Sequence, residues 1–211
     1  MPGTNRIIKR ITVPPFMENV YIVGDLQSST AILIDPGAQG NQILFEINHF
    51  GFSVCLIANT HGHLDHVGAV NQVMKTTSSS FYMSHLDIPV MEKGFQMGVE
   101  MIPDWQDPPL PDSDLHHGDL ITAGEISLTV IATPGHTPGG VCFLGDGVLF
   151  SGDTLFKRSV GRTDLFGGDE RELFRSITEG LLTLPDEIIV YPGHGPETTI
   201  GEEKATNPFL I

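Results

Sequence analysis

One short segment carries the strongest chemical signal in the sequence: Thr60-His61-Gly62-His63-Leu64-Asp65-His66. It places three imidazoles and one carboxylate within six residues, directly after the apolar run 54–58, which we predict to be a strand. Imidazole and carboxylate groups at this spacing are typical ligands of divalent metal ions, and Gly62 relieves crowding between them. The segment therefore predicts a metal site in a loop between this strand and a helix over residues 67–75.

Three later loops carry ligands of the same types, and each follows an apolar run. A glycine beside each candidate ligand lets the backbone turn sharply, so that the side chain is presented beyond the end of a strand. Each loop alone is a weak signal, but together with residues 60–66 they predict one site. The loops are Thr133-Pro134-Gly135-His136-Thr137, Ser151-Gly152-Asp153-Thr154 and Tyr191-Pro192-Gly193-His194-Gly195.

The order of apolar runs predicts two β-rich blocks, each combined with helices. The first block has strands over 7–13, 20–23, 31–34, 54–58 and 81–83, with a helix over 39–50. The second has strands over 126–132, 140–144, 148–150 and 188–191, with a helix over 170–182. This favours an α/β fold of two packed sheets flanked by helices, and one large mixed sheet is the alternative. We expect a single domain over residues 1–211, with no regular structure in the proline-rich stretch 91–117.

Composition narrows the partners that we expect. The net charge of −15 and the pI near 4.7 disfavour nucleic acids and anionic membranes, because both require a cationic surface. The sequence contains no secretory signal and no apolar run long enough to span a bilayer. We therefore expect a cytoplasmic monomer or small homo-oligomer that acts on a small molecule. Cys55 and Cys142 each lie in an apolar run and are predicted to be core thiols.

In this order, the motifs resemble those of the metallo-β-lactamase superfamily and, within it, the glyoxalase II-like (hydroxyacylglutathione hydrolase-like) enzymes. The resemblance extends to Ile34-Asp35-Pro36-Gly37 and Gly161-Arg162-Thr163-Asp164, and it matches the short bacterial form without a C-terminal glutathione-binding extension. It implies a four-layer αββα sandwich of two mixed β-sheets flanked by helices. It also implies two divalent ions, with zinc expected first and iron or manganese as alternatives. One ion would be held by His61, His63 and His136, the other by Asp65, His66 and His194, with Asp153 as the bridge.

The same resemblance implies a hydrolase that cleaves a small acyl thioester, S-lactoylglutathione or a related hydroxyacyl thioester, by attack of a hydroxide that bridges the two ions. Asp65 would also be catalytic by orienting that hydroxide, and nearby carboxylates or carbonyls are expected to fix the imidazole tautomers. Of five Lys and Arg residues clustered after Asp153, we assign only Arg162 to the binding of an anionic substrate. Two alternatives stay open, a mononuclear-iron persulfide dioxygenase and a lactonase on the same dinuclear site.

Overall fold

The computed structural model describes residues 5–211, and two β-sheets form the centre of this part of the chain. Five strands within it form the first sheet: β1 (Arg6–Val13), β2 (Glu18–Asp25), β3 (Thr30–Ile34), β4 (Ser53–Ala58) and β5 (Ser80–Tyr82). They lie side by side in chain order, with β1, β2 and β3 antiparallel and β3, β4 and β5 parallel. The first sheet is therefore mixed.

The second sheet is also mixed. Across residues 5–211, the remaining strands are β6 (Leu120–Ala123), β7 (Ile126–Ala132), β8 (Val141–Gly145), β9 (Val148–Gly152), β10 (Leu155–Phe156), β11 (Ser159–Val160), β12 (Ile189–Pro192) and β13 (Thr198–Thr199). The sheet runs in the order β13-β12-β9-β8-β7-β6, and β10 and β11 form a separate hairpin. The β9–β12 pair is parallel, whereas every other pair of neighbouring strands in this sheet is antiparallel.

Helices accompany both sheets. They are α1 (Gly40–Phe50), α2 (Leu64–Val67), α3 (Val70–Thr77), α4 (Ile88–Met101), α5 (Glu170–Arg175) and α6 (Ile200–Thr206). Helix α5 continues through a π-helical turn, Ser176–Gly180, and a 3-10 turn, Leu181–Thr183, and another 3-10 turn, His85–Asp87, precedes α4. Within the described chain, no helix combines the length and the apolar character needed to cross a bilayer.

The alternation of side chains along the central strands produces three apolar layers. In β3, Leu33 packs against the helices of the first sheet, whereas Ile32 packs into the layer between the two sheets. In β8, Phe143 joins that central layer, whereas Cys142 faces the helices of the second sheet. Because successive strand residues point to opposite faces, each sheet is covered on both sides. The order helices, sheet, sheet, helices confirms the predicted αββα sandwich.

The stretch 91–117 was expected to lack regular structure, and this expectation is wrong for its first part, where α4 extends to Met101. Glycine lowers helix propensity, and Gly98 therefore obscures the helical pattern. Its presence has a packing reason, because a Cβ atom at position 98 would lie 2.5 Å from Cδ2 of the Trp105 ring. Tertiary packing thus selects glycine inside a helix. A second correction concerns the single helix predicted over 67–75, because the structure has two helices in this region, α2 and α3.

The prediction that both cysteines are core thiols is correct for Cys142, which is buried, and wrong for Cys55, which is exposed. The cause is an irregularity in the pairing of β3 with β4. Ala31 pairs with Val54 and Ile32 pairs with Leu56, so Cys55 is an extra residue without a partner on β3. Such a bulge turns one side chain away from the face that the alternation would give it.

Candidate metal centre

The first group of predicted ligands is closely packed. The loop after β4 presents His61 and His63, and the loop after β7 presents His136. Donor nitrogens of the three rings lie within 4.8 Å of one another. The closest pair, His63 Nδ1 and His136 Nε2, is 2.9 Å apart, although 73 positions separate the two residues in the sequence. The fold therefore brings the distant loops together as predicted.

The second group lies beside the first. Donor atoms of Asp65, His66 and His194 also lie within 4.8 Å of one another, with His194 Nε2 3.3 Å from Asp65 Oδ2. Asp153, directly after β9, lies between the groups. Its carboxylate oxygens are 3.4 Å from His66 Nε2, 3.6 Å from His136 Nε2 and 3.7 Å from His194 Nε2. The structure thus gathers the seven predicted ligands into one cluster, with Asp153 placed to join its two halves.

The donor atoms of this cluster fit divalent cations. Among the described residues, His61 Nε2, His66 Nε2 and Asp153 Oδ1 are buried and have no hydrogen-bond partner. A buried polar atom without a partner is costly, so native structures normally satisfy such atoms. Imidazole nitrogens and carboxylate oxygens suit zinc, iron and manganese. Cations coordinated by these atoms would satisfy all three, and the assignment of individual ligands stays a prediction.

Two of the imidazole rings, His136 and His66, make a hydrogen bond through the nitrogen that points away from the cluster. That hydrogen bond selects the tautomer in which the other nitrogen presents a lone pair to the cluster. His136 Nδ1 donates to the carbonyl oxygen of Arg162 at 2.7 Å, and His66 Nδ1 donates to Asp35 Oδ2 at 3.1 Å. An imidazole that donates through Nδ1 has an unprotonated Nε2 when it is neutral. In both residues Nε2 is the nitrogen that faces Asp153.

Asp35 also orients His61, through Thr60. One Asp35 oxygen accepts from the Thr60 backbone N–H at 2.7 Å, and the other accepts from the Thr60 hydroxyl at 2.7 Å. Because the single hydroxyl hydrogen is directed to Asp35, the Thr60 oxygen is left to accept from His61 Nδ1, which lies 3.0 Å away. This leaves His61 Nε2 unprotonated. One buried carboxylate therefore sets the orientation of a ring in each donor group.

A second buried carboxylate, Asp87, ties the loops of the first group together. It accepts hydrogen bonds from the backbone N–H of Gly62 at 2.9 Å, the Thr137 hydroxyl at 2.7 Å and the backbone N–H of Gly139 at 2.6 Å. Gly62 lies between His61 and His63, and Thr137 follows His136. Asp87 thus fixes the backbone on both sides of the first group without a hydrogen bond to any imidazole.

Strand β2 fixes the loop that carries His194. The backbone N–H of Asn19 donates to the Gly193 carbonyl at 2.7 Å, and the Asn19 amide donates to the carbonyls of Pro192 at 3.1 Å and Gly195 at 2.9 Å. The Tyr21 hydroxyl donates to the Pro192 carbonyl at 2.7 Å. A side chain on Gly193 would collide with the Asp153 carboxylate and the His66 ring. The loop therefore approaches the second group without room for adjustment.

Glu18, at the start of β2, is a further buried carboxyl group beside the second set of ligands. Its Oε1 atom lies 4.0 Å from His66 Nδ1, and neither oxygen has a hydrogen-bond partner among the described residues. Burial raises the pKa of the Glu18 carboxyl well above its ordinary value, although the nearby His66 ring opposes the shift. A neutral Glu18 avoids an unpaired charge in this interior.

The electrostatics favour the metal-binding protonation state for His61, His63 and Asp153. Burial alone would lower the pKa of His66 and of His194, but the carboxylates beside them raise both. Burial and the neighbouring imidazoles lower the pKa of His61 well below its ordinary value, and burial together with His136 lowers that of His63 to about 4. Both rings are therefore neutral at pH 7, the form that coordinates a cation. Burial alone would raise the pKa of Asp153, but the imidazole of His66 holds it well below its ordinary value. The Asp153 carboxylate is ionised.

Arg162, the predicted contact for an anionic substrate, lies at the rim of the cluster. Its guanidinium donates two hydrogen bonds to the Asp164 carboxylate, from Nε at 2.7 Å and from a terminal nitrogen at 2.8 Å, and the side chain is 62% exposed. Its charge is therefore largely paired within the chain. Arg162 makes a second contact at the site through its backbone, because its carbonyl oxygen accepts the hydrogen bond from His136 Nδ1. The role of its side chain toward substrate stays a prediction.

The cluster opens into a cleft of about 480 Å³. Besides cluster residues and Arg162, the cleft is lined by six apolar side chains, those of Phe16, Leu64, Met97, Phe156, Val160 and Leu165. Another cavity of about 480 Å³, around Arg6, Asp25 and Asp146, has no histidine in its lining. There Arg6 pairs with Asp146 at 3.0 Å, so that cavity offers no comparable donor set.

Comparisons with known proteins agree with this geometry. The family model for the metallo-beta-lactamase superfamily matches residues 13–194. Hydroxyacylglutathione hydrolase GloC of Haemophilus influenzae is 36% identical, with 96% of this chain and 97% of GloC covered. An αββα sandwich with such a His/Asp cluster defines a class of metal-dependent enzymes. The chain belongs to the metallo-beta-lactamase superfamily.

Three solved structures resemble the fold over nearly the whole chain. BLEG-1, described as a B3 metallo-beta-lactamase, has a TM-score of 0.87 at 36% identity, with 97% of this chain and 100% of BLEG-1 covered. TTHA1623, solved in a di-iron-bound form, has a TM-score of 0.86 at 39% identity, with 96% and 100% covered. ETHE1 from Myxococcus xanthus has a TM-score of 0.82 at 30% identity, with 97% and 84% covered. The fold is thus shared by proteins with different names.

Sequence patterns alone assign no role to Glu18, Asp35, Thr60 or Asp87. A signal existed for Asp35, a carboxylate directly after the apolar strand β3 and within a motif that carried the resemblance. Asp87 offers no such signal, because its three partners lie 25 to 52 positions away and become neighbours only in the folded chain. Glu18 is similarly inconspicuous in the sequence.

Proposed function

We propose that the protein hydrolyses a small acyl thioester, S-lactoylglutathione or a related hydroxyacyl thioester, with two divalent cations, zinc first, held by the cluster. The supporting observation is the arrangement of two donor groups joined by Asp153 at the base of an open cleft. The similarity to GloC supports the same class of substrate. One group would be His61, His63 and His136, and the other Asp65, His66 and His194.

The cleft favours a substrate with a good leaving group. Among the described residues that line it, Arg162 is the only ionisable side chain outside the predicted ligands, and it is paired with Asp164. No further acid is thus in place to protonate a departing group. A thiol has a pKa of about 8.5, so it can depart as a thiolate without protonation, whereas an amine nitrogen must first be protonated because its anion is a far stronger base. This difference supports a thioester over an amide.

The residues of the chain divide the remaining work. Cations held in the cluster supply acidification of a water and polarisation of the substrate carbonyl. Burial alone would raise the pKa of Asp65, but the rings of His66 and His194 lower it, so its carboxylate is ionised. The Asp65 side chain is 18% exposed and lines the cleft, so it can accept a hydrogen bond from the attacking water and orient it.

A two-substrate assay tests the proposal. Protein reconstituted with zinc, iron or manganese would be given S-lactoylglutathione, with thiol release followed by a chromogenic thiol reagent, and glutathione persulfide, with oxygen followed by an electrode. We expect thiol release without oxygen consumption. Asp65→Asn should abolish it, whereas Asp146→Asn, which changes an exposed carboxylate outside the cleft, should not.

Oxygen consumption without thioester cleavage would refute the proposal and identify a persulfide dioxygenase. Cleavage of a lactone with no cleavage of the thioester would equally refute it, in favour of a lactonase.

A further inference from the structure

A second, apolar groove adjoins the metal cleft. It has a volume of about 220 Å³ and shares His63, Leu64, Met97 and Leu165 with the cleft, so the two spaces are continuous. We call it the acyl groove and define it by its apolar and glycine lining: Leu64, Val90, Gly94, Met97, Leu165 and Phe166. It lies between α4 and the segment that contains Leu165 and Phe166.

Several large apolar side chains of this groove are exposed to water. Met97 is 51% exposed, Leu165 is 40% exposed and Phe166 is 50% exposed. Their chemistry favours a hydrocarbon ligand, because covering apolar surface is favourable in proportion to its area. The charged side chain at the groove, Lys93, lies with its ammonium 3.9 Å from the centroid of the Phe166 ring. The ammonium therefore lies over an aromatic face at the edge of the groove.

Gly94 lies at the groove where α4 comes close to Leu64. It lies in the interior of α4, where glycine is less favourable than alanine. A Cβ atom at this position would lie 3.2 Å from the Leu64 Cβ, so a larger residue would crowd the groove where it meets Leu64. The helix thus retains an unfavourable residue at a point where it leaves space beside the cleft.

We infer that the acyl groove binds the hydrocarbon part of the acyl group, so that the preferred substrates are thioesters of apolar, medium-length acids. The inference rests on the proposed function. The carbonyl carbon of a thioester bound at the cluster carries two substituents, the acyl chain and the thiol sulfur. Because His63 and Leu64 line both the cleft and the groove, one of these substituents can extend from the cluster into the groove. A peptide thiol carries several charged and amide groups, and of the residues that line the groove only His63 and Lys93 could pair with them. The acyl chain is therefore the part that fits.

A series of glutathione thioesters tests the inference: acetyl, lactoyl, butanoyl, hexanoyl and octanoyl. Each methylene that becomes fully buried should raise kcat/KM about fourfold, and half burial of the four extra methylenes should still give about fifteenfold between acetyl and hexanoyl. Phe166→Ser should reduce the hexanoyl-to-acetyl ratio. Phe45→Ser, a substitution of a residue 67% exposed on α1 and outside both spaces, should leave the ratio unchanged.

The outcomes separate the two proposals. If the acetyl and lactoyl thioesters are cleaved but kcat/KM is flat or falls with chain length, the inference is overturned and the proposed function stands. If no thioester is cleaved, both are overturned. A dependence of kcat/KM on acyl length that persists unchanged in Phe166→Ser would also overturn the inference, because the acyl chain would then bind elsewhere.

A binding measurement tests the groove without turnover. In calorimetry, S-hexylglutathione should bind more tightly than S-methylglutathione, and equal affinities would overturn the inference.

Discussion

Asp35→Asn removes one charge from the interior without changing the size of the side chain. Asp35 is 2% exposed, and its φ of 50° is a left-handed conformation that asparagine also tolerates. The asparagine oxygen can still accept from the Thr60 backbone N–H, but its amide nitrogen replaces the oxygen that accepts from His66. Two N–H groups would then face each other. His66 must move its proton to Nε2, the nitrogen that we propose binds metal.

The expected magnitude follows from the lost contact. A hydrogen bond to a charged group contributes about 1.5–3 kcal/mol. Because about 1.36 kcal/mol corresponds to a factor of ten, metal affinity should fall about 10- to 150-fold, in the range seen for partners of metal-bound histidines. The new amide would also donate to the Thr60 hydroxyl, which then turns its hydrogen toward His61 Nδ1. Both donor groups should therefore weaken.

A competition titration measures this effect. Metal-free protein would be titrated with zinc against a chromophoric chelator, and thermal unfolding of the metal-free forms would be recorded in parallel. Asp87→Asn is the matched control, since Asp87 is equally buried and accepts three hydrogen bonds, none from an imidazole. We expect both variants to lose stability and Asp35→Asn to lose much more affinity. Wild-type affinity in Asp35→Asn, or an equal loss in Asp87→Asn, would refute the reasoning.

Two further predictions concern packing. A maleimide should modify exposed Cys55 and leave Cys142 unreacted in the native protein, because burial raises the pKa of the Cys142 thiol to about 11. Mass spectrometry that still finds labelling in native Cys55→Ser would contradict this. Gly98→Ala should lower Tm, although alanine favours helix by about 1 kcal/mol, because the new Cβ would lie 2.5 Å from the Trp105 ring. Gly180→Ala is the control and should not lower Tm, because a Cβ atom there meets nothing within 4 Å. Equal Tm values for wild type and Gly98→Ala in calorimetry would refute the contact with Trp105.

Much of the fold could be predicted because its strands alternate or run apolar in short, well-separated segments. Two features could not. Helix α4 was hidden by glycines whose reason is contact with residues outside the helix, as Gly98 shows with Trp105. The exposure of Cys55 depends on a bulge between β3 and β4, and the register of a strand pair is not visible in either strand alone.

The clustering of the candidate ligands could be predicted because each imidazole or carboxylate lies in, or just after, a loop that follows an apolar strand. Their supporting partners could not be assigned in the same way. Asp35 contacts His66 across 31 positions, and the Arg162 carbonyl contacts His136 across 26. A backbone carbonyl has no sequence signal at all, since every residue carries one. The assigned guanidinium of Arg162, by contrast, lies paired with its near neighbour Asp164.

The position of Asp153 between two donor groups is the central claim, and metal stoichiometry tests it most directly. Wild-type protein, reconstituted and freed of excess metal, should contain about two divalent ions per chain by elemental analysis. Asp153→Ala should retain the fold by circular dichroism but lose bound metal and thioester turnover together. An Asp153→Ala protein with the same metal content as wild type would contradict the bridging role.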